Sequence, residues 1–146
     1  TQGVSSAASD VYKRQATSAL IARGGGVIIT NSSIGGLRGM RRLSHYAAAK
    51  WGVIGLTKSI AIELAPHNIR AVSIHPTGVD TQMNDGLAQA EGKTPEEIAE
   101  ASAGNLQPVP WIETVDVAEL VLFLASDRAR YIDGAQIVVD AGLLTA

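Results

Sequence analysis

Residues 27–75 read VIITNSSIGGLRGMRRLSHYAAAKWGVIGLTKSIAIELAPHNIRAVSIH, and this stretch decides the fold. Val27, Ile28, Ile29 and Thr30 form a run of mostly β-branched residues, apolar to both sides, the pattern of a parallel strand covered by helices on each face. Ser32, Ser33 and the glycines at 35, 36 and 39 make a loop at its C-terminal end. From about Ser44 to Ala65, Val53, Leu56, Ile60 and Leu64 recur at helical spacing, and Pro66 ends the helix. Ile69 to His75 is a second strand. Strand, long helix and strand together imply an α/β layer fold with a parallel sheet.

Working outward toward the N-terminus, Ala19, Leu20 and Ala22 within Ala16 to Arg23 suggest the last turns of a helix, stopped by Gly24-Gly25-Gly26. Residues 1–15 are expected to be a non-native segment. Within them VSSAASDVYKRQ (4–15) is small and polar with no apolar face, and it resembles a translated sequencing-library adapter of the kind found at the ends of metagenomic open reading frames. A frayed polar terminus is the other reading. Toward the C-terminus, the second strand runs into the loop Pro76-Thr77-Gly78-Val79-Asp80-Thr81. Met83 to Pro110 is polar and loosely patterned, with one short helix opened by the capping box Thr94-Pro95-Glu96-Glu97. Such an insertion between core elements reads as a substrate lid over 83–110. Val115 to Ala125 is an amphipathic helix with Asp116 in its first turn, and Ala135 to Val139 a third strand.

The fold class expected is therefore a doubly wound, Rossmann-like parallel sheet, and an incomplete one. A dinucleotide-binding domain needs two halves, with its phosphate-binding glycine loop between the first strand and first helix. Gly24-Gly25-Gly26 precede a strand instead of following one, and no other glycine cluster leads from a strand directly into a helix. Residues 16–146 thus read as the C-terminal half of a single domain lacking its N-terminal cofactor half. With 146 residues, 46% hydrophobic and 18% charged, there is material for one globular domain and not for two catalytic ones. Twelve basic against 14 acidic residues, with no basic stripe, argue against nucleic acid as partner. The absence of cysteine excludes disulfides and thiolate metal sites. His45, His67 and His75 share no ligand spacing, so no metal is expected. No apolar run reaches the roughly 20 residues that cross a bilayer, and a cytoplasmic location is the expectation.

Tyr46 and Lys50 are four apart in a helical region, so both side chains lie on one face within reach of one ligand. A phenol ionising near pH 10 is a poor base at neutral pH, and a neighbouring ammonium group favours the phenolate. Alone, the pair fits equally well two surface residues of a helix. Ser33 precedes Tyr46 by 13 positions, in the loop just past the first strand, where ligands of open α/β sheets sit and where a hydroxyl can donate to a substrate oxygen. Trp51 and Trp111 could wall a pocket, although packing roles fit them as well.

At NSSIGGLRG, SHYAAAKWGVIGLTKSIAIELAPHNIRAVSIHPTGVDTQM and LVLFLASDRARYIDGAQIVVDAG the sequence resembles the short-chain dehydrogenase/reductase family, whose hallmark is a serine after one strand and Tyr-x-x-x-Lys on the next helix. The likeness runs over nearly all of Ala16 to Ala146, and HPTGVDTQM with PVPWIETVDVAELVLFLASDRARYIDG is most similar to the mycofactocin-coupled, carveol-dehydrogenase-like subgroup. The resemblance implies hydride transfer between a secondary alcohol or ketone and a nicotinamide cofactor, NAD with NADP left open. Tyr46 would be the general acid/base, Lys50 would hold the nicotinamide ribose and tune the tyrosine, and Ser33 would orient the substrate oxygen, with Ser32 as competitor. Pro76, Thr77, Gly78, Val79 and Thr81 would meet the nicotinamide carboxamide; Thr77 stands where most relatives carry the glycine of a Pro-Gly pair. A homo-oligomer is expected of the complete enzyme. Two other readings share these residues: a non-catalytic remnant acting as an oligomerisation or interaction module, and an epimerase or dehydratase of the extended relatives.

Overall fold

The computed structural model describes residues 15–102 and 104–145. Helix α1, described over residues 15–23, ends on its glycines: Gly24 and Gly25 take φ of +90° and +144°. Their amides donate to the carbonyls of Ile21 and Leu20, at 3.0 Å each. A left-handed exit strains any residue with a Cβ, and at Gly25 a Cβ would also lie 2.7 Å from the Asn68 carbonyl oxygen. The chain continues through β1 (Gly26–Asn31), α2 (Ser44–Leu64), β2 (Ile69–Pro76), α3 (Gln82–Glu91), α4 (Pro95–Ser102), α5 (Thr114–Ala125) and β3 (Gln136–Val139).

Among the described residues the strands form one sheet in the order β1-β2-β3, with both pairings parallel. Thr30 stands beside Ser73, and Ser73 beside Gln136. Because all strands run the same way, Asn31, Pro76 and Val139 end at one edge of the sheet. The period-2 alternation sorts the side chains to two faces. Ile69 and Ala71 pack with Ile60, Ala61 and Leu64 of α2 and with Leu20 and Ile28. Val72 and Ile74 pack with Leu124, Ala129, Val27, Ile29 and Val121 on the other face. Full burial of residues such as Ile69, Val72 and Leu124 stabilises the fold by about 1.5–3 kcal/mol each. Helices on both faces are what doubly wound means, and the expected α/β fold class is met.

Three expectations need correction. The apolar stripe of α2 is rotated from the one read in the sequence: Ile54, Thr57, Ile60, Ala61 and Leu64 are buried, while Val53 and Leu56 are only half-buried. Thr57 tolerates burial because its hydroxyl donates to the Val53 carbonyl at 2.7 Å and lies 2.8 Å from Thr30 Oγ1, which ties α2 to β1. Second, β1 is mostly half-buried where cover on both faces was expected, and β2 is buried almost throughout. The cause is position: β2 is flanked on both edges, whereas among the described residues β1 pairs only with β2.

Third, 83–110 contains two helices where one was expected. The capping box of α4 forms as read, with the Thr94 amide donating to Glu97 Oε2 at 2.8 Å and the Glu97 amide to Thr94 Oγ1 at 3.2 Å. Helix α3 has no side-chain cap and carries Gly86 in its interior, so propensity alone does not make it. It closes at Gly92, with φ of +65°, and is held by packing on α4, where Ala88 and Ile98 are both buried. The 1–15 segment lies outside the described residues except for residue 15.

Candidate active site

The Ser32 amide donates to the Ile74 carbonyl at 2.9 Å, carrying the β1–β2 pairing past Asn31 and setting Ser33 beside the C-terminal end of β2. Ser33 is extended, with φ −175° and ψ 165°, and opens the 3-10 turn Ile34–Gly36. Its Oγ accepts from the Gly35 amide at 3.1 Å, and its carbonyl accepts from the Gly36 amide at 2.9 Å. Accepting leaves the Ser33 hydroxyl proton available for donation. Ser32 is arranged differently: its Oγ donates to the Lys50 carbonyl at 3.1 Å, which engages its proton on α2.

Tyr46 and Lys50 share a face of α2, one turn apart. Lys50 Nζ is 5.5 Å from the Tyr46 ring centroid and donates to the Asn31 carbonyl at 3.1 Å, so the ammonium group sits at the exit of β1. Burial holds the Lys50 pKa below the ordinary lysine value. The tyrosine ring lies against Gly35, where a Cβ would come within 3.0 Å of Tyr46 Cε1. Ser33, Tyr46 and Lys50 are thus gathered at one sheet edge by the 3-10 turn and the first two turns of α2. The glycines of NSSIGG allow that approach, a role the sequence reading gave only to a generic loop.

His75, the penultimate residue of β2, is fully buried. Its Nδ1 is 3.0 Å from the Ser33 carbonyl oxygen and its Nε2 2.8 Å from Ser73 Oγ. Burial lowers its pKa; the Ser33 carbonyl opposes that effect, and the positive charge of Lys50 adds to it.

Pro76 is buried at the end of β2, and the Thr77 amide donates to the Val139 carbonyl at 3.0 Å, so the β2–β3 pairing continues by one residue. Beyond it, Val79 forms a parallel bridge with Ile112: the Ile112 amide donates to the Gly78 carbonyl and the Asp80 amide to the Ile112 carbonyl, both at 3.0 Å. Trp111 packs so closely over Gly78 that a Cβ there would collide with the indole ring. Trp111 therefore fixes the 76–81 loop, and Trp51 is half exposed on α2. Thr81 precedes α3 without its side chain capping the helix. Among the described residues no three His, Asp or Glu side chains converge as a metal site, and no helix is long and apolar enough to cross a membrane.

The family model described as enoyl-(acyl carrier protein) reductase matches residues 4–144. The (−)-trans-carveol dehydrogenase of Rhodococcus erythropolis is 50% identical over 128 residues, covering 82% of this chain and 46% of the relative. The crystal structure of carveol dehydrogenase from Mycobacterium avium in complex with NAD superposes with a TM-score of 0.78 at 41% identity, over 86% of this chain and 49% of that one. A Beutenbergia cavernae protein named for NAD(P)-dependent gluconate 5-dehydrogenase activity and solved with bound NADP gives 0.76 at 33% identity, over 88% and 50%. The chain spans about half the length of the relatives it matches. That half includes every element that builds the Ser33, Tyr46 and Lys50 edge, and by the extent of its family match the chain belongs to the short-chain dehydrogenase/reductase family.

Proposed function

We propose that this chain forms the alcohol-handling half of an oxidoreductase that interconverts a secondary alcohol and its ketone with a nicotinamide cofactor. The observation that carries the reading is the gathering of Ser33, Tyr46 and Lys50 at the C-terminal edge of a parallel sheet, with the Ser33 proton available and the Lys50 ammonium beside the Tyr46 ring. Bound nicotinamide would accept or supply the hydride. The chain's own groups would do the rest: Ser33 donates a hydrogen bond to the substrate oxygen, Tyr46 exchanges its proton, and Lys50 holds the ribose hydroxyls. The 76–81 loop, with Pro76, Thr77, Gly78, Val79 and Thr81, would receive the carboxamide. NAD is the cofactor proposed, with NADP left open, because relatives are solved with each.

The substrate class proposed is a small secondary alcohol, and carveol, the substrate named for the Rhodococcus relative, is the first to try. Placement in the mycofactocin-coupled subgroup, homo-oligomeric assembly and a cytoplasmic location belong to the same proposal, as does 83–110 acting as a lid. A purely non-catalytic interaction module is less well supported, since such a role would not require these three side chains to stay together. The test is a fusion of this chain behind the N-terminal half of the Rhodococcus enzyme, assayed for NADH formation with carveol and a panel of cyclic alcohols. Turnover that depends on Tyr46 is the expected result; a folded fusion that reduces no NAD with any alcohol overturns the reading.

A further inference from the structure

We infer that His75 is a positioning residue for Ser33, holding the serine's backbone through a hydrogen bond from a single, fixed ring tautomer. This rests on the proposed role of Ser33. A carbonyl oxygen only accepts, so the 3.0 Å contact with Ser33 requires the proton to be on His75 Nδ1. Nε2 is then the acceptor and takes the hydroxyl proton of Ser73, 2.8 Å away. The ring is buried, Ser73 is 1% exposed, and the charge of Lys50 is positive, so burial and Lys50 both oppose a second proton against the pull of the Ser33 carbonyl.

The Ser33 carbonyl thereby receives two donors, the Gly36 amide at 2.9 Å and His75 at 3.0 Å. Its hydroxyl receives a third, from Gly35. Two of these belong to the local turn and would form in any 3-10 opening. The His75 bond, next to the bond from the Ser32 amide to the Ile74 carbonyl, ties the opening of the turn to β2 and so holds the serine relative to the 76–81 loop that begins at the next residue. Ser73 in turn fixes the ring from within the same strand. The support of the site thus extends two residues behind Ser33, to His75 and Ser73, neither of which is placed against substrate.

The prediction discriminates between the two ring nitrogens. Asparagine places an amide N–H where Nδ1 stands and glutamine one where Nε2 stands, while leucine supplies neither. In the fusion described above, His75→Asn should retain kcat within about threefold, whereas His75→Gln and His75→Leu should lose on the order of 10²-fold in kcat with KM for NAD unchanged, the loss typical of a misplaced catalytic group. A purely structural role would lower the melting temperature of all three without this ordering. Equal kcat for all folded variants, or retention by Gln and loss by Asn, overturns the inference. Long-range proton–nitrogen correlation on the chain labelled at histidine reads the tautomer directly: Nδ1 protonated and Nε2 bare near neutral pH is expected, and the reverse pattern, or an imidazolium, refutes it. If the parent fusion turns over no alcohol, the proposed function falls. The tautomer measurement still decides whether His75 holds the Ser33 carbonyl.

Discussion

The roles proposed for Tyr46 and Lys50 differ, and that difference sets how their variants should behave. Tyr46→Phe in the fusion with the Rhodococcus N-terminal half removes only the proton-transfer group, so turnover should fall about 10² to 10⁴-fold while NAD affinity holds, as steady-state kinetics and cofactor titration would report. Lys50→Ala should weaken both, since the same ammonium group that lies 5.5 Å from the tyrosine ring is proposed to hold the ribose. Burial of His75 gives a second, independent readout. A histidine in the unfolded chain takes up its proton near pH 6.5, and this one resists it when folded. The linked stability is therefore intact above about pH 6.5 and falls as the pH drops below it. Urea denaturation at about pH 8 and about pH 5 should show that loss, and His75→Asn should reduce the difference; a slope unchanged by the substitution would contradict the burial argument. The spacing of Ser33, Tyr46 and Lys50 was readable in the sequence because one helical turn and one strand exit are local geometry. The bond from His75 to Ser33 was not, because the partners are 42 residues apart and meet only through the register of β1 on β2.

At the scale of elements, strands and the long helix followed from apolar periodicity, since each buries a continuous face against the sheet. Helix α3 gave a weaker local signal: its cap lacks a side-chain bond, and Gly86 interrupts it. The one local cue was Gly92 at its end, left-handed and followed by the next capping box. Among the described residues helices α3 and α4 pack on each other. The pairing at Val79 and Ile112 closes one side, and the Leu106 and Gln107 amides both donate to the Ala141 carbonyl, at 3.0 and 3.1 Å. Hydrogen exchange should accordingly run faster in α3 and α4 than in Val27 to Thr30, and slow when substrate and cofactor are added to the fusion. Equal protection in both regions without ligand would remove the basis for a lid over 83–110.

For the whole molecule, the open edge of β1 governs behaviour in solution. Among the described residues this strand pairs on one side only, and its apolar residues are half-buried, an arrangement that invites another strand. No described strand leads through a glycine loop into a helix of the kind that cradles pyrophosphate, so the chain alone should bind NAD or NADH more weakly than about micromolar in isothermal titration. Micromolar affinity from a monodisperse sample would show that the cofactor needs nothing beyond these residues. The closed neck formed by Gly78, Asp80 and Ile112 has a consequence for how such proteins diversify. Residues 82–110 leave and return at this bridge, with Trp111 packed on Gly78 at the crossing point and Leu106 and Gln107 tied to Ala141. If 83–110 closes over substrate as proposed, changes within that excursion would alter substrate preference as a cassette, while the bridge keeps the strands on either side, and the proposed proton-handling residues, in place.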